Sequence, residues 1–273
     1  WSFRAGVHRT AMAGPHVLLT SDDGIDAVGF QALYDALSEF TEVTAVAPAD
    51  DRSAVGRAMS GEVDVEEHDL GYAIHGTPAD CAVVGLEILC PDVDMVVAGC
   101  NTGANLGAYV LGRSGTVSAA VEAAFFDVPA IATSLYVPGG DGEWRHAADS
   151  PRHYRNATTA TAYLVKHARG AGVFEQAEYL NVNAPLHEEG DDLAALEVTK
   201  PSTLYDMRAE RDGERVSLID NIWARMRDGN LPDPQGTDRR AVVEGRVSVS
   251  PLTAPHTTHH HEALDALAET YLG

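Results

Sequence analysis

A chain of 273 residues with 45% hydrophobic content carries enough apolar side chain to bury a core without disulfide or metal staples. Its formal net charge of −22, with Lys166 and Lys200 the only lysines, excludes nucleic acid and anionic membrane surfaces as partners. A saline cytoplasm fits that charge, because at about 1 M salt the screening length falls to roughly 3 Å and an acidic surface stops repelling itself.

Residues 1–15, WSFRAGVHRTAMAGP, hold no apolar signal core and read as a disordered leader, with Met12 an alternative start. Short β runs and helical patterns then alternate. HVLLT (His16–Thr20) reads as a strand that releases into Ser21-Asp22-Asp23-Gly24. FQALYDALSEF follows, with Leu33, Ala36, Leu37 and Phe40 on one helical face. EVTAVAP (Glu42–Pro48) is a β-branched strand ending in Asp50-Asp51-Arg52-Ser53, and YAIHG (Tyr72–Gly76) is another short strand. In TPADCAVVGLEIL, Thr77 suits an N-cap, Pro78 the first turn and Asp80 the third position of a helix. DMVVAG (Asp94–Gly99) is a further strand, followed by the loop Asn101-Thr102-Gly103-Ala104-Asn105. SGTVSAAVEAAFF reads as a helix and VPAIATSLYV as a buried strand. Continuous apolar strands alternating with helices predict an α/β fold, a parallel sheet covered on both faces.

From about Pro138 the pattern loosens. PGGDGEWRHAADSPRH is a loop, TATAYLVKHARGAG a helix that stops at glycines, and YLNVNAP a strand. Residues from Glu197 to about Val243 read as an arm, with a hairpin in ERDGERVSLID and a loop in NLPDPQGTD. GRVSVSPL closes the sheet and EALDALAETYL forms a terminal amphipathic helix. Three parts follow: a leader over 1–15, an α/β core over 16–196, and an arm, closing strand and terminal helix over 197–273. Cys81, Cys90 and Cys100 suit no zinc site by spacing and read as free thiols of a reducing cytoplasm. The most apolar run, VEAAFFDVPAIATSLYV, is broken by Asp127 and Pro129, so no membrane span is expected. His256 and His259–His261 fall at a loop–helix junction and read as flexible rather than as a metal site.

In open parallel sheets, ligands bind beyond the carboxyl ends of the strands. Here three strands release into polar loops. Asp22 and Asp23 are hard oxygen donors suited to Mg²⁺ or Mn²⁺, and Ser53 and Asn101 add neutral oxygens. An Asp-Asp-Gly alone reads better as a turn with an Asx cap, but three loops converging reverse that in favour of a site. Ser114, Gly115 and Thr116 open a helix with small residues, which lets backbone N–H groups approach an anion. Gly103 and Gly107 permit close backbone approach, and Arg52, Arg57 and Arg113 lie near these loops. The first strand is followed by no GxGxxG, and neither a Walker lysine nor a G-x-S-x-G elbow is present.

Taken in order, LLTSDDGIDAVGFQAL, VAPADDRSAVG, GTPADC, VVAGCNTGANLG and RSGTVSAAVEAAFFDVPAIATSL resemble the loops of the SurE family of survival-protein nucleotidases. YLNVNAP and TDRRAVVEGRVSVSPL extend the resemblance to about residues 17–252, strongest before Leu135. It implies a Rossmann-like, mostly parallel core and a C-terminal arm used in homodimer or homotetramer exchange. It also implies a divalent cation on Asp22, Asp23, Ser53 and Asn101, with the two aspartates catalytic. Phosphate falls to Ser114, Gly115 and Thr116, with Asn105 nearby. The implied reaction is hydrolysis of nucleoside 5′- and 3′-monophosphates in the cytoplasm. Three departures stand out: Ser21 where the family has asparagine, Cys100 where an aliphatic residue is usual, and Arg113 where an aromatic residue is usual. Ser21 and Arg113 give the only support to a rival reading, a nucleotide-binding scaffold that has lost catalysis. A third reading keeps the site but gives it polyphosphate or other small phosphoesters.

Overall fold

The computed structural model describes residues 14–139, 147–254 and 262–270. Its first half runs β1 (Val17–Thr20), α1 (Val28–Ser38), β2 (Val43–Pro48), β3 (Val65–His68), β4 (Gly71–Ile74) and α2 (Pro78–Val84). β5 (Met95–Thr102), α3 (Ala108–Leu111), α4 (Gly115–Phe125) and β6 (Ala130–Tyr136) follow. The second half runs α5 (Arg155–His167), β7 (Tyr179–Pro185), β8 (Leu196–Val198), β9 (Met207–Asp212) and β10 (Arg215–Asp220). It ends with α6 (Asn221–Arg227), α7 (Asp238–Val243), β11 (Val247–Leu252) and α8 (Glu262–Thr270).

One nine-stranded sheet has the order β3-β4-β2-β1-β5-β6-β7-β11-β8, and β9 and β10 form a separate hairpin. The central pairs β2/β1, β1/β5, β5/β6 and β6/β7 are all parallel. Only β3/β4 and β7/β11 run antiparallel within that sheet. Period-2 alternation divides β1 between the two faces. Val17 and Leu19 join Leu33, Leu37 and Leu164 on one face, so α1 and α5 cover it. Leu18 points the other way, to Cys81, Val117, Ala120 and Ala123, so α2 and α4 cover that one. Every residue of β1 is therefore buried, the signature of a strand with helices on both sides. Cys81, Cys90 and Cys100 are buried free thiols.

Local signals set the helix starts. Thr77 caps α2, its hydroxyl accepting from the Asp80 N–H at 3.2 Å while Asp80 Oδ2 accepts from the Thr77 N–H at 2.8 Å. That capping box, with Pro78 in the first turn, is what the sequence pattern anticipates.

Three features depart from the sequence reading. The acidic run EVDVEEHD contains β3, an edge strand whose charges face water and so block further pairing. β5 continues past Gly99: after a register shift between Ala98 and Asn101, Asn101 pairs with Ser134 and Thr102 with Leu135. Asn101 thus stands at a strand end rather than in a free loop. The boundary drawn between residues 196 and 197 falls inside β8, which pairs in parallel with β11 in the main sheet. The chain leaves the sheet for the hairpin and returns, its two crossings joined by the bridge between Lys200 and Thr237. The leader through residue 13, and His256 and His259–His261, lie outside the described residues. Among the described residues, no helix is long and apolar enough to cross a membrane.

Candidate active site

Strand order reverses at β1, with β2 on one side and β5 on the other, and a crevice opens at their carboxyl ends. Asp22, Ser53, Asn101, Asn105 and Ser114 all line one cavity of about 540 Å³ there. Asp23, Gly115 and Thr116 stand one contact behind that lining. The β1 and β2 loops are tied together by the Arg52 N–H, which donates to the Asp22 carbonyl at 2.7 Å.

Asp22 is 3% exposed, and its Oδ1 accepts from the Thr116 hydroxyl at 2.5 Å. Burial pushes its pKa up, against the help of the Thr116 hydroxyl and N–H. Asp23 Oδ2 accepts from the Thr102 N–H at 2.6 Å. Burial, and then the negative charge of Asp22 beside it, push Asp23 up to about 7. The negative charge of Asp51 pushes both in the same direction. Desolvated acids side by side are costly to ionise unless a cation joins them.

The neutral donors complete a hard oxygen set. Ser53 Oγ donates to Asp51 Oδ1 at 2.5 Å, which leaves its lone pairs for a cation. Asn101 Nδ2 donates to the Gly103 carbonyl, so the amide oxygen stays free to accept. Carboxylate, hydroxyl and amide oxygens in one buried, negative crevice fit a divalent hard cation.

The linkage has a definite sign. A carboxyl whose folded pKa is raised favours the protonated fold, so its stabilising effect is complete below the unfolded pKa and lost as pH rises through the folded one. Chelator-treated protein should therefore lose stability between about pH 4 and about pH 7, and Asp23→Asn should flatten that slope. Thermal melts of both proteins across this range check it. An identical slope in the two would remove Asp23 as its source.

The anion side is built on α4. Ser114 caps it, with Oγ accepting from the Val117 N–H at 3.0 Å, so the hydroxyl proton is left for another acceptor. A Cβ on Gly115 would lie 2.8 Å from Asp22 Cβ and 3.0 Å from its Oδ2, so only glycine lets the helix start approach this closely. Thr116, expected at the phosphate, is fully buried with its hydroxyl on Asp22, and it acts through that residue. Gly107 packs against Arg239, whose Nη2 would lie 2.0 Å from a Cβ there, and so serves packing rather than an anion. Arg57 pairs with Glu122 at 2.6 Å away from the cavity lining, whereas Arg113 does line it.

Asn105 shows what the sequence reading missed. Its N–H donates to Asn183 Oδ1 at 2.7 Å, and its carbonyl accepts from Asn181 Nδ2 at 2.9 Å and Asn183 Nδ2 at 3.2 Å. Its own Nδ2 donates to Ser134 Oγ at 2.8 Å. Asn181 and Asn183 share one face of β7 by period 2, and two buried amides at that spacing were the available signal. Tyr136, Trp223 and Arg227 also line the cavity, and nothing local in their segments marks them.

The family model described as Survival protein SurE matches residues 17–206. The chain belongs to the SurE family. It is similar to a 5′-nucleotidase SurE of Haloquadratum walsbyi, at 64% identity over 94% of this chain and 97% of that protein. A 5′-nucleotidase SurE of Natronomonas pharaonis is 64% identical over 93% of this chain and 99% of its own length. The crystal structure of the SurE protein from Aquifex aeolicus superposes with a TM-score of 0.74 at 28% identity, covering 94% of this chain and 99% of that one. Relatives from halophilic archaea accord with the acidic surface read from composition. Ser21, where the SurE resemblance leads one to expect asparagine, accepts with its Oγ from the Asp23 N–H at 3.2 Å.

Proposed function

We propose that this SurE chain hydrolyses nucleoside 5′-monophosphates, and 3′-monophosphates as well, to nucleoside and phosphate, using Mg²⁺ or Mn²⁺ held by Asp22, Asp23, Ser53 and Asn101. The observation that carries the reading is the buried Asp22 carboxylate, with Asp23 beside it, set against the start of a helix that opens on the same cavity. The naming of its similar proteins as 5′-nucleotidases supports it. When bound, the cation supplies positive charge to the phosphoryl oxygens and eases deprotonation of water. Asp22, oriented by Thr116, and Asp23, oriented by the Thr102 N–H, hold the cation and align the attacking water. The Ser114 hydroxyl and the N–H groups at the α4 start donate to the peripheral phosphate oxygens as charge builds there. Asn105, tied to Asn181, Asn183 and Ser134, fixes the loop between the cation and phosphate ends.

Phosphate release in high salt, from each nucleoside monophosphate with Mn²⁺ or Mg²⁺ and an EDTA control, tests the reading. Metal-dependent release is expected. A folded, metal-loaded protein that releases nothing from nucleotides, polyphosphate or simple phosphoesters would overturn it in favour of binding without catalysis.

The same reading places the enzyme in the cytoplasm, supported by three free thiols, and makes it a homodimer or homotetramer joined through the hairpin. β9 and β10 pair with each other outside the main sheet, and Val216 and Leu218 on one face of β10 are 54% and 75% exposed. Charging both, as in V216E/L218E, should shift sedimentation to a smaller species. An unchanged mass would rule out the hairpin as the joint.

A further inference from the structure

The phosphate end accounts for only part of the cavity. Its lining also includes Asp220, Trp223, Ala224 and Arg227 at and on α6, and Tyr136 and Val137 at the end of β6. Two buried side chains, Ile222 and Met226, anchor α6 one turn apart in a cluster with Leu106, Tyr136, Leu231 and Val242. The next pair around the helix, Trp223 and Arg227, borders the cavity. Trp223 packs against that cluster yet keeps part of its surface open.

This helix is also fixed to the phosphate end. Asp220 caps it, Oδ1 accepting from the Ile222 N–H at 3.1 Å, while its Oδ2 accepts from the Tyr109 hydroxyl. Tyr109 lies on α3, directly before the Ser114 cap, and Arg113 stacks over its ring at 5.3 Å. The indole is thus held in the same cavity as Asp22 and Ser114, on a short rigid path rather than on a free loop.

We infer that Trp223 is the stacking platform for the nucleobase, so that α6, an element of the arm, selects a nucleoside monophosphate over a phosphoester without a base. A cavity lined by Asp22, Ser53, Asn101 and Ser114 in one part, and by the rings of Trp223 and Tyr136 with Val137, Asp220 and Arg227 in another, matches a substrate with a phosphate at one end and a flat ring with polar edges at the other. Stacking accepts any base, because every base has a π face. The inference deepens the proposed function and rests on it for the identity of the substrate.

Two measurements test it, and the first requires no turnover. Adenosine titrated into metal-free protein should quench tryptophan fluorescence saturably, and Trp223→Phe should abolish the quenched component. The second compares adenosine 5′-monophosphate with ribose 5-phosphate. In Trp223→Ala the ratio of their kcat/KM values should fall about 10- to 100-fold, carried mainly by KM, with Trp223→Phe recovering most of it. An unchanged ratio in a folded Trp223→Ala, or quenching that survives in Trp223→Phe, would overturn the assignment. Failure of the phosphatase reading would show separately, as no release by the wild-type protein on either substrate, and the adenosine titration would still decide the role of Trp223.

Discussion

Asp22→Asn and Asp23→Asn should each slow phosphate release by about 10³-fold or more, since losing roughly 4 kcal/mol of transition-state stabilisation is a factor of that size. The geometry explains why neither is a mild change. Asp22 is held by the Thr116 hydroxyl and Asp23 by the Thr102 N–H, so each carboxylate is fixed in place. An amide keeps the shape but removes the charge that holds a cation. Folding should respond in the opposite sense. Burial and mutual repulsion disfavour both charges in the metal-free protein, so the asparagine variants should melt no lower than wild type in EDTA. They should also lose the rise in Tm that Mn²⁺ gives the wild type. Metal-dependent turnover retained in both variants would remove these residues from the site.

Asp238→Ala should cost about 3–5 kcal/mol of stability, the range for leaving buried, charge-assisted partners unmet. Asp238 is fully buried and accepts from three backbone N–H groups: Gly107 at 2.7 Å, Ser202 at 2.9 Å and Arg239 at 2.8 Å. Those donors belong to the loop after Asn105, the segment after β8, and α7. One carboxylate therefore ties the site loop to the base of the arm. Burial pushes its pKa up in spite of the three donors, as a site out of water would. Removing it strands the donors and leaves Arg239, itself fully buried, with Asp233 at 3.6 Å as its ion-pair partner. Asp238→Asn keeps an accepting oxygen and should cost less. Denaturant unfolding in high salt measures both, and a loss under about 1 kcal/mol in the alanine variant would show the hub to be dispensable.

Both predictions join residues that are far apart in the chain, and this marks where sequence reading stopped. The start of α2 was legible because Thr77, Pro78 and Asp80 act within one turn. β1, β5 and β6 were legible because strands covered on both faces must be apolar throughout. Asp22 and Asp23 stood out because they follow such a strand directly, where a parallel sheet presents its ligands. The SurE motifs added the order of the loops, and four of the five loops up to Leu135 line one cavity, GTPADC standing outside its lining. The 3.6- and 2-residue periods that revealed these elements say which face of an element is buried, not what it is buried against.

Everything decided by partners across the chain stayed out of reach. Thr116 donates to Asp22 from 94 positions away, a contact that no local signal announces. Asn181 and Asn183 looked like ordinary strand positions until Asn105 was placed against them. β8 joined the main sheet only through β11, nearly fifty residues later, and the bridge at Lys200 and Thr237 brings the arm's two ends together. Trp223 reached the cavity because Asp220 caps α6 and Tyr109 holds that cap. Sequence by itself determined the elements, their buried faces, the acidic surface and the strand-end aspartates, since each is fixed within a turn or a strand. Tertiary structure alone decided which hydroxyl, amide or indole meets those aspartates' cavity, because that depends on sheet order and register between segments that share no local signal.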